Sequence, residues 1–209
     1  FWKVKIMVES TGSSNFPLLR REVAKKIVNF GSDNFLLITG LGSPNWDFTA
    51  AGDRDSFFPL WGAMGGAVPI GLGLSIAQPK KRVLVATGDG EMLMGIGSLA
   101  TVSIQNPKNL VILVFDNERY GETGMQETAT AYRTNISAIA EGCGFLQTSI
   151  VRSDNELESI LPRIFYDEGP LLFVIKVRAE PLDFVLPPKD GSFLKDRFRQ
   201  ALLGSESII

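Results

Sequence analysis

The sequence predicts an α/β fold: a doubly wound, mainly parallel sheet with helices on both faces, followed by an extended C-terminal tail and a short helix. Three observations predict it. Two runs, Asn109–Phe115 (NLVILVF) and Leu171–Val177 (LLFVIKV), are apolar on both faces, as strands covered above and below must be. Shorter apolar runs alternate with segments of helical spacing, the pattern of a parallel sheet built from strand–helix–strand units. Glycines stand where the runs end, at Gly40, Gly42, Gly88 and Gly90, so the chain leaves the sheet through tight turns.

Each element follows in order. Phe1–Ser10 lacks an initial Met, and it has no long apolar core ahead of a small-residue cleavage site. Residues 1–15 are therefore set aside as a flexible or non-native terminus, and a cytoplasmic protein is expected. Residues 16–180 are read as one domain. Within it, Arg20–Phe30 is an amphipathic helix with Val23, Ile27 and Val28 on one side, and Phe35–Thr39 is a short strand. Ser56–Pro79 carries no charge and is long enough to imitate a membrane span. Pro59, Pro69 and its many glycines favour a buried helix instead, over Ala63–Gln78, lying tight on the sheet. Arg82–Thr87 is the next strand, Met92–Gln105 a helix, and Asn109–Phe115 a strand. Helices over Ile136–Glu141 and Glu156–Phe165 flank a strand near Thr148–Val151, and Leu171–Val177 is the last strand. Residues 181–209 form the tail: Pro181–Gly191 is proline-rich and extended, and Phe193–Leu203 resumes helical spacing. Such a tail buries little alone and is expected to dock on a neighbouring subunit or across its own domain.

Composition narrows the chemistry. The chain has 209 residues and a net charge of −2, with Lys and Arg scattered among acids, so no nucleic-acid footprint is present. One cysteine, Cys143, excludes an internal disulfide and any cysteine cluster for zinc or iron–sulfur. There is no histidine, which removes His-based nucleophilic catalysis and His metal sites from this chain. Carboxylates, amides, backbone groups, a cofactor or a second chain must do the work.

The candidate site begins at VLVATGDGEMLMG, Val83–Gly95, where an apolar run ends in a carboxylate. A charge there costs free energy unless it is compensated. Gly88 permits a tight exit, Gly90 lets bare backbone approach a ligand, and a helix starting near Met92 aims its free N–H groups at the same place. That environment suits phosphate, and a carboxylate beside phosphate calls for a cation between them, such as Mg2+. One helix and one strand later, DNERYGETG (Asp116–Gly124) places Asn117 at the next strand end. In parallel sheets these ends share a ligand crevice.

The pairing of GDG with this Asn resembles the thiamine-diphosphate-binding fingerprint. The resemblance implies that Asp89, Asn117 and the backbone carbonyl of Arg119 hold Mg2+ on the cofactor's diphosphate, beside Gly88, Gly90, Glu91, Tyr120 and Gly121. A third segment, Leu60–Gly65 (LWGAMG), resembles the cradle of the aminopyrimidine ring. It implies that Met64 wedges the cofactor into a bent shape, with Ala63 beside it and the Gly62 carbonyl receiving the amino group. More narrowly, AAGDRDSFFPLWGAMG, GDGEMLMGIGSLATVSIQNPKNL and DNERYGETG look like the beta subunits of sulfopyruvate decarboxylases and the related phosphonopyruvate decarboxylases.

That narrower likeness implies a thiamine-diphosphate-dependent carboxy-lyase subunit acting on a small anionic 2-oxo acid. The activating glutamate would come from an alpha-type, pyrimidine-binding partner, in a hetero-oligomer with a dimeric core. Neither membrane nor nucleic acid is an expected partner. A histidine would have been unsurprising where Ala129 stands. Arg54 and Arg119 are candidates for the substrate's sulfonate or phosphonate headgroup, with ordinary structural roles as the alternative; Glu122 lies beside the motif. An acetolactate-synthase-like carboligase and a non-catalytic cofactor-binding assembly subunit remain alternatives. A nicotinamide-binding fold lacks its G-x-G-x-x-G after the first strand and ranks behind.

Overall fold

A computed structural model describes residues 15–33 and 35–208. The expectation for residues 1–15 falls, apart from Asn15, outside them. Six parallel strands form the sheet: β1 (Phe35–Thr39), β2 (Phe57–Pro59), β3 (Arg82–Gly88), β4 (Leu110–Asp116), β7 (Gln147–Val151) and β8 (Leu171–Lys176), in the order β2-β1-β3-β4-β8-β7. A two-stranded antiparallel ribbon, β5 (Arg119–Tyr120) with β6 (Gln126–Glu127), stands outside it.

Alternation along the strands builds two cores, because successive side chains point to opposite faces. Leu84, Val111, Leu113, Phe115 and Phe173 face α1 (Arg20–Gly31), α2 (Ser43–Gly52) and α7 (Asp154–Tyr166). Val83, Val85, Ile112, Val114 and Val174 face α3 (Ala67–Ala77), α4 (Asp89–Met94), α5 (Ser98–Gln105), α6 (Ile136–Cys143) and α8 (Gly191–Leu203). The sheet is thus doubly wound, as expected.

Four local differences have physical causes. The helix expected over Ala63–Gln78 begins only at Ala67, since Ala63 and Gly65 adopt positive φ and hold Trp61–Gly66 as a loop. The helix expected over Met92–Gln105 is two helices, α4 and α5, broken at Gly95. There the backbone lies so close to Gly65 that a Cβ would fall 2.3 Å from the Gly65 carbonyl. Helix α2 has no apolar stripe and carries Pro44 in its first turn, where proline is tolerated, so its sequence reads as a break. The uncharged Ser56–Pro79 stretch divides between β2 and α3, and no helix among the described residues is long and apolar enough to cross a membrane.

The tail docks on its own domain. Trp61 donates its indole N–H to the Pro188 carbonyl at 2.8 Å, and the Phe184 ring meets Trp46 edge-on at 5.5 Å. Arg197 grips Asp53 through two 2.7 Å bonds, and Phe198 packs on Phe58.

Candidate functional site

The chain leaves β1 toward α2 on one face and leaves β3 toward α4 on the other. Diverging exits between neighbouring strands open a crevice at their carboxyl ends. Here it is a cavity of about 460 Å3, walled by Leu41–Pro44 after β1, Gly88–Glu91 after β3, and Asn117 and Arg119–Thr123 after β4, with Met64 and Met94 at its edge. Of the residues expected from the sequence, Met64, Gly88, Asp89, Gly90, Glu91, Asn117, Arg119, Tyr120 and Gly121 all line it. Gly62 and Ala63 sit on the exposed loop before Met64 and do not. Glu122 joins the wall, its carboxylate accepting the Trp46 indole N–H at 2.9 Å.

Asp89 opens α4 and is 2 % exposed. Its Oδ2 accepts the hydroxyls of Thr128 and Thr130, which the ribbon β5–β6 brings back over the strand end. Thr130 Oγ1 lies 3.0 Å from Asp89 Oδ2, 2.8 Å from Asp116 Oδ1 and 2.8 Å from the Thr128 hydroxyl. One hydroxyl proton cannot serve both carboxylates. Burial, reinforced by the charge of Asp116, pushes the Asp89 carboxyl up to about 7, against the opposing pull of the two hydroxyls. Asp116 and Glu118 share the ammonium of Lys176, each at 2.8 Å. Asp89, Asp116 and Glu118 are all buried, and Asp116 reaches Asp89 through the Thr130 hydroxyl.

Asn117 follows β4 directly, and its Oδ1 accepts the backbone N–H of Arg119 at 3.0 Å, which fixes the side chain and the Arg119 peptide relative to each other. The donors gathered here are a carboxylate, an amide oxygen and backbone carbonyls. No group of three or more His, Cys, Asp or Glu able to hold a metal occurs among the described residues. Hard oxygens in so small a number fit a magnesium ion that completes its shell with phosphate and water.

The two glycines of the GDG differ in what a side chain there would meet. Gly88 is the one with open space where a Cβ would stand. At Gly90 a Cβ would lie 2.4 Å from Cε1 of Tyr120, so the lack of a side chain makes room for the tyrosine ring. Glu91 is a brace. Its Oε2 accepts the Thr87 hydroxyl at 2.6 Å, and its carboxylate faces the backbone N–H groups of Gly65 and Ala67. It also fills the place of a side chain at Gly40, where a Cβ would fall 1.5 Å from Oε2. Burial raises its pKa, which Thr87 and the two backbone donors oppose. Met64 is 40 % exposed, whereas Met92 is buried in the core, so Met64 is free to press on a ligand.

Neither headgroup candidate is free. Arg54 lies away from the cavity, paired with Asp33 at 3.0 Å, and Arg119 is tied to Glu127 at 3.1 Å. Ala129 is exposed and outside the cavity wall, so the absence of histidine there leaves the wall unchanged. Thr128 and Thr130 are the residues that sequence reasoning missed. Their only signal is two hydroxyls at alternate positions after an antiparallel ribbon too short to recognise.

Comparison with known proteins agrees with this geometry. The family described as thiamine pyrophosphate enzyme, C-terminal TPP binding domain, matches residues 45–175. The chain is 34 % identical over 186 residues to sulfopyruvate decarboxylase subunit beta of Methanocaldococcus jannaschii, covering 88 % of this chain and 96 % of that one. It is 35 % identical over 153 residues to phosphonopyruvate decarboxylase of Streptomyces viridochromogenes, covering 73 % of this chain and 38 % of the relative. Benzoylformate decarboxylase from Polynucleobacter necessarius shares the fold, with a TM-score of 0.63 at 18 % identity over 81 % of this chain and 34 % of that one. A doubly wound sheet, a cavity at its strand-order reversal and a matched family profile together mean that the chain belongs to the thiamine pyrophosphate enzymes, through their C-terminal TPP-binding domain.

Proposed function

We propose that this chain is the thiamine-diphosphate- and Mg2+-binding subunit of a two-chain 2-oxo acid decarboxylase with a sulfopyruvate- or phosphonopyruvate-like substrate. The observation that carries the reading is the convergence of Asp89, Asn117 and Arg119 on one cavity, where Asp89 is a buried carboxylate. In this reading Asp89, Asn117 and the Arg119 carbonyl hold the ion, and the open side of Gly88 gives the diphosphate access to backbone. Met64 supports the ring system, and Tyr120, seated on Gly90, walls the pocket. When bound, thiamine diphosphate supplies the carbon nucleophile and the electron sink for loss of carbon dioxide. The chain's own part is to fix the ion, orient the cofactor and keep water from its reactive end.

The activating glutamate belongs, in this reading, to a pyrimidine-binding partner. Two features support a covering partner. Met64 and Met94 expose 40 % and 58 % of their surface at the cavity, and Ile70, Ile76 and Ile104 add exposed apolar area on α3 and α5. The cavity's arginine is committed to Glu127, so a sulfonate or phosphonate headgroup would draw its cation from the partner as well. The sulfopyruvate decarboxylase relative from Methanocaldococcus jannaschii, covered over 96 % of its length, is itself named a subunit beta.

Calorimetric titration of thiamine diphosphate, with and without Mg2+, on the chain alone and with a candidate partner, tests the reading. Binding is expected only with Mg2+. The Asp89→Ala variant should lose it by more than the ~10–100-fold that follows removal of a group merely supporting a metal ligand. Absence of binding under every condition removes the proposal, and unchanged affinity in Asp89→Ala removes the ligand assignment.

A further inference from the structure

The sheet reverses its strand order twice. After β4 the chain passes to α6 on one face; after β7 it passes to α7 on the other; β8 lies between these strands. Diverging exits therefore open a second crevice at the carboxyl ends of β4, β8 and β7, by the same topological rule that produced the first. It encloses about 300 Å3. Its floor carries Asp116, Glu118, Lys176 and Thr130; Phe16, Tyr132, Arg133 and Arg152 stand around it.

The charges of this crevice divide into two sets. Lys176 on the floor is consumed by Asp116 and Glu118 and lies over the Phe16 ring at 5.5 Å. The guanidinium groups of Arg133 and Arg152 are different. Every other arginine of the described residues has a hydrogen bond or ion pair to a carboxylate or backbone carbonyl. Among the described residues Arg133 and Arg152 alone have neither, and both line this one cavity. Glu156 feels the field of Arg152, but its carboxylate is engaged by the backbone N–H groups of Arg152 and Ser153. Tyr132 is likewise occupied, by Glu127. A planar fork of donors with no such partner among the described residues, at a strand-end crevice, matches the paired oxygens of an oxyanion such as a phosphate, phosphonate or sulfonate.

We propose that this second crevice is a binding site for a small oxyanion, a phosphate, phosphonate or sulfonate group, held between Arg133 and Arg152. The site does not depend on the function proposed for the first cavity. It has, however, a route to it. Thr130 touches Asp116 on the crevice floor and Asp89 in the cavity wall, so an anion that shifts this threonine alters the environment of Asp89.

Calorimetric titration of the full chain with inorganic phosphate, methylphosphonate and methanesulfonate, at ionic strength held constant with chloride, tests the proposal. Saturable one-site binding is expected, weakened about tenfold or more in an Arg133→Gln/Arg152→Gln variant, since both charge-assisted contacts are then gone. That variant should keep wild-type far-ultraviolet dichroism and thermal midpoint. An Arg133→Lys/Arg152→Lys variant, retaining charge without the fork, should fall between, and it decides the matter if the glutamine variant does not fold. Tighter binding of methylphosphonate or methanesulfonate assigns the crevice to an organic acid; tighter binding of phosphate assigns it to the inorganic ion. Absence of saturable binding above chloride, or equal affinity in wild type and both variants, overturns the proposal.

Discussion

The two crevices of this sheet share β4 as a wall, and their contrast is instructive. The first, between the exits of β1, β3 and β4, is lined by glycines, carboxylate and amide oxygens, with its one arginine tied down. The second, at the exits of β4, β8 and β7, is lined by side chains of longer reach, with two arginines whose guanidinium groups have no hydrogen bond or ion pair among the described residues. Topology made both cavities, since each sits where the chain's exits diverge to opposite faces. Side-chain chemistry separates them: glycines and hard carboxylate and amide oxygens in one, two arginines above an already paired lysine in the other. Fold locates ligands, and residues choose them.

Thr130 is the hinge of the comparison, because it contacts both sides. Replacing it with Val removes the hydroxyl between Asp89 and Asp116 at nearly constant shape. If Asp89 holds the ion as proposed, losing this hydroxyl should weaken Mg2+-dependent cofactor binding roughly 10–100-fold, read by calorimetry. Affinity unchanged within error would mean that the crevices are independent.

The glycines of the first crevice provide a sharper contrast. Gly90→Ala forces a methyl group onto the Tyr120 ring and should cost about 1–3 kcal/mol of stability in a denaturant titration, as overpacking does. Gly88→Ala places its methyl in open space on an ordinary extended backbone and should leave stability unchanged while weakening cofactor binding. Equal stability losses from the two would contradict these packing roles.

A pH dependence centred on the first crevice is a further expected effect. Asp89 titrates near 7 in the folded chain against an ordinary value of 3.8, so the metal-free fold retains a proton that the unfolded chain has released. Metal-free stability should therefore fall as pH rises from about 4 to about 7 and then level off. Asp89→Asn should flatten part of that fall. The part due to Asp47 and Glu91, whose carboxyls burial also raises, should remain. Denaturant melts at a series of pH values measure this, and identical slopes in both proteins would remove Asp89 as the cause.

Much of the first crevice was legible. Asp89 and Asn117 stand directly after apolar runs long enough to be recognised as strands, and glycine marks the exit at the first. Met64 was legible only through the likeness of its segment, and its partial exposure is what gives it a free surface. Helix α2, the break at Gly95 and the ribbon that returns Thr128 and Thr130 to Asp89 were not legible. Each depends on what lies opposite: Pro44 is tolerated because it falls in a first turn, and Gly95 is needed because Gly65 approaches it. The tail's destination was equally open until Trp46 and Trp61 supplied the surface for Phe184 and Pro188.

By itself the sequence determined which segments are strands buried on both faces and which polar groups stand at their ends, because those facts follow from local pattern. Tertiary structure alone decided which of those ends meet, which glycine faces open space and which a tyrosine, and which arginines are left unpaired among the described residues. Charge pairing and steric room are properties of distance in space, and a chain's spacing along its length does not fix them.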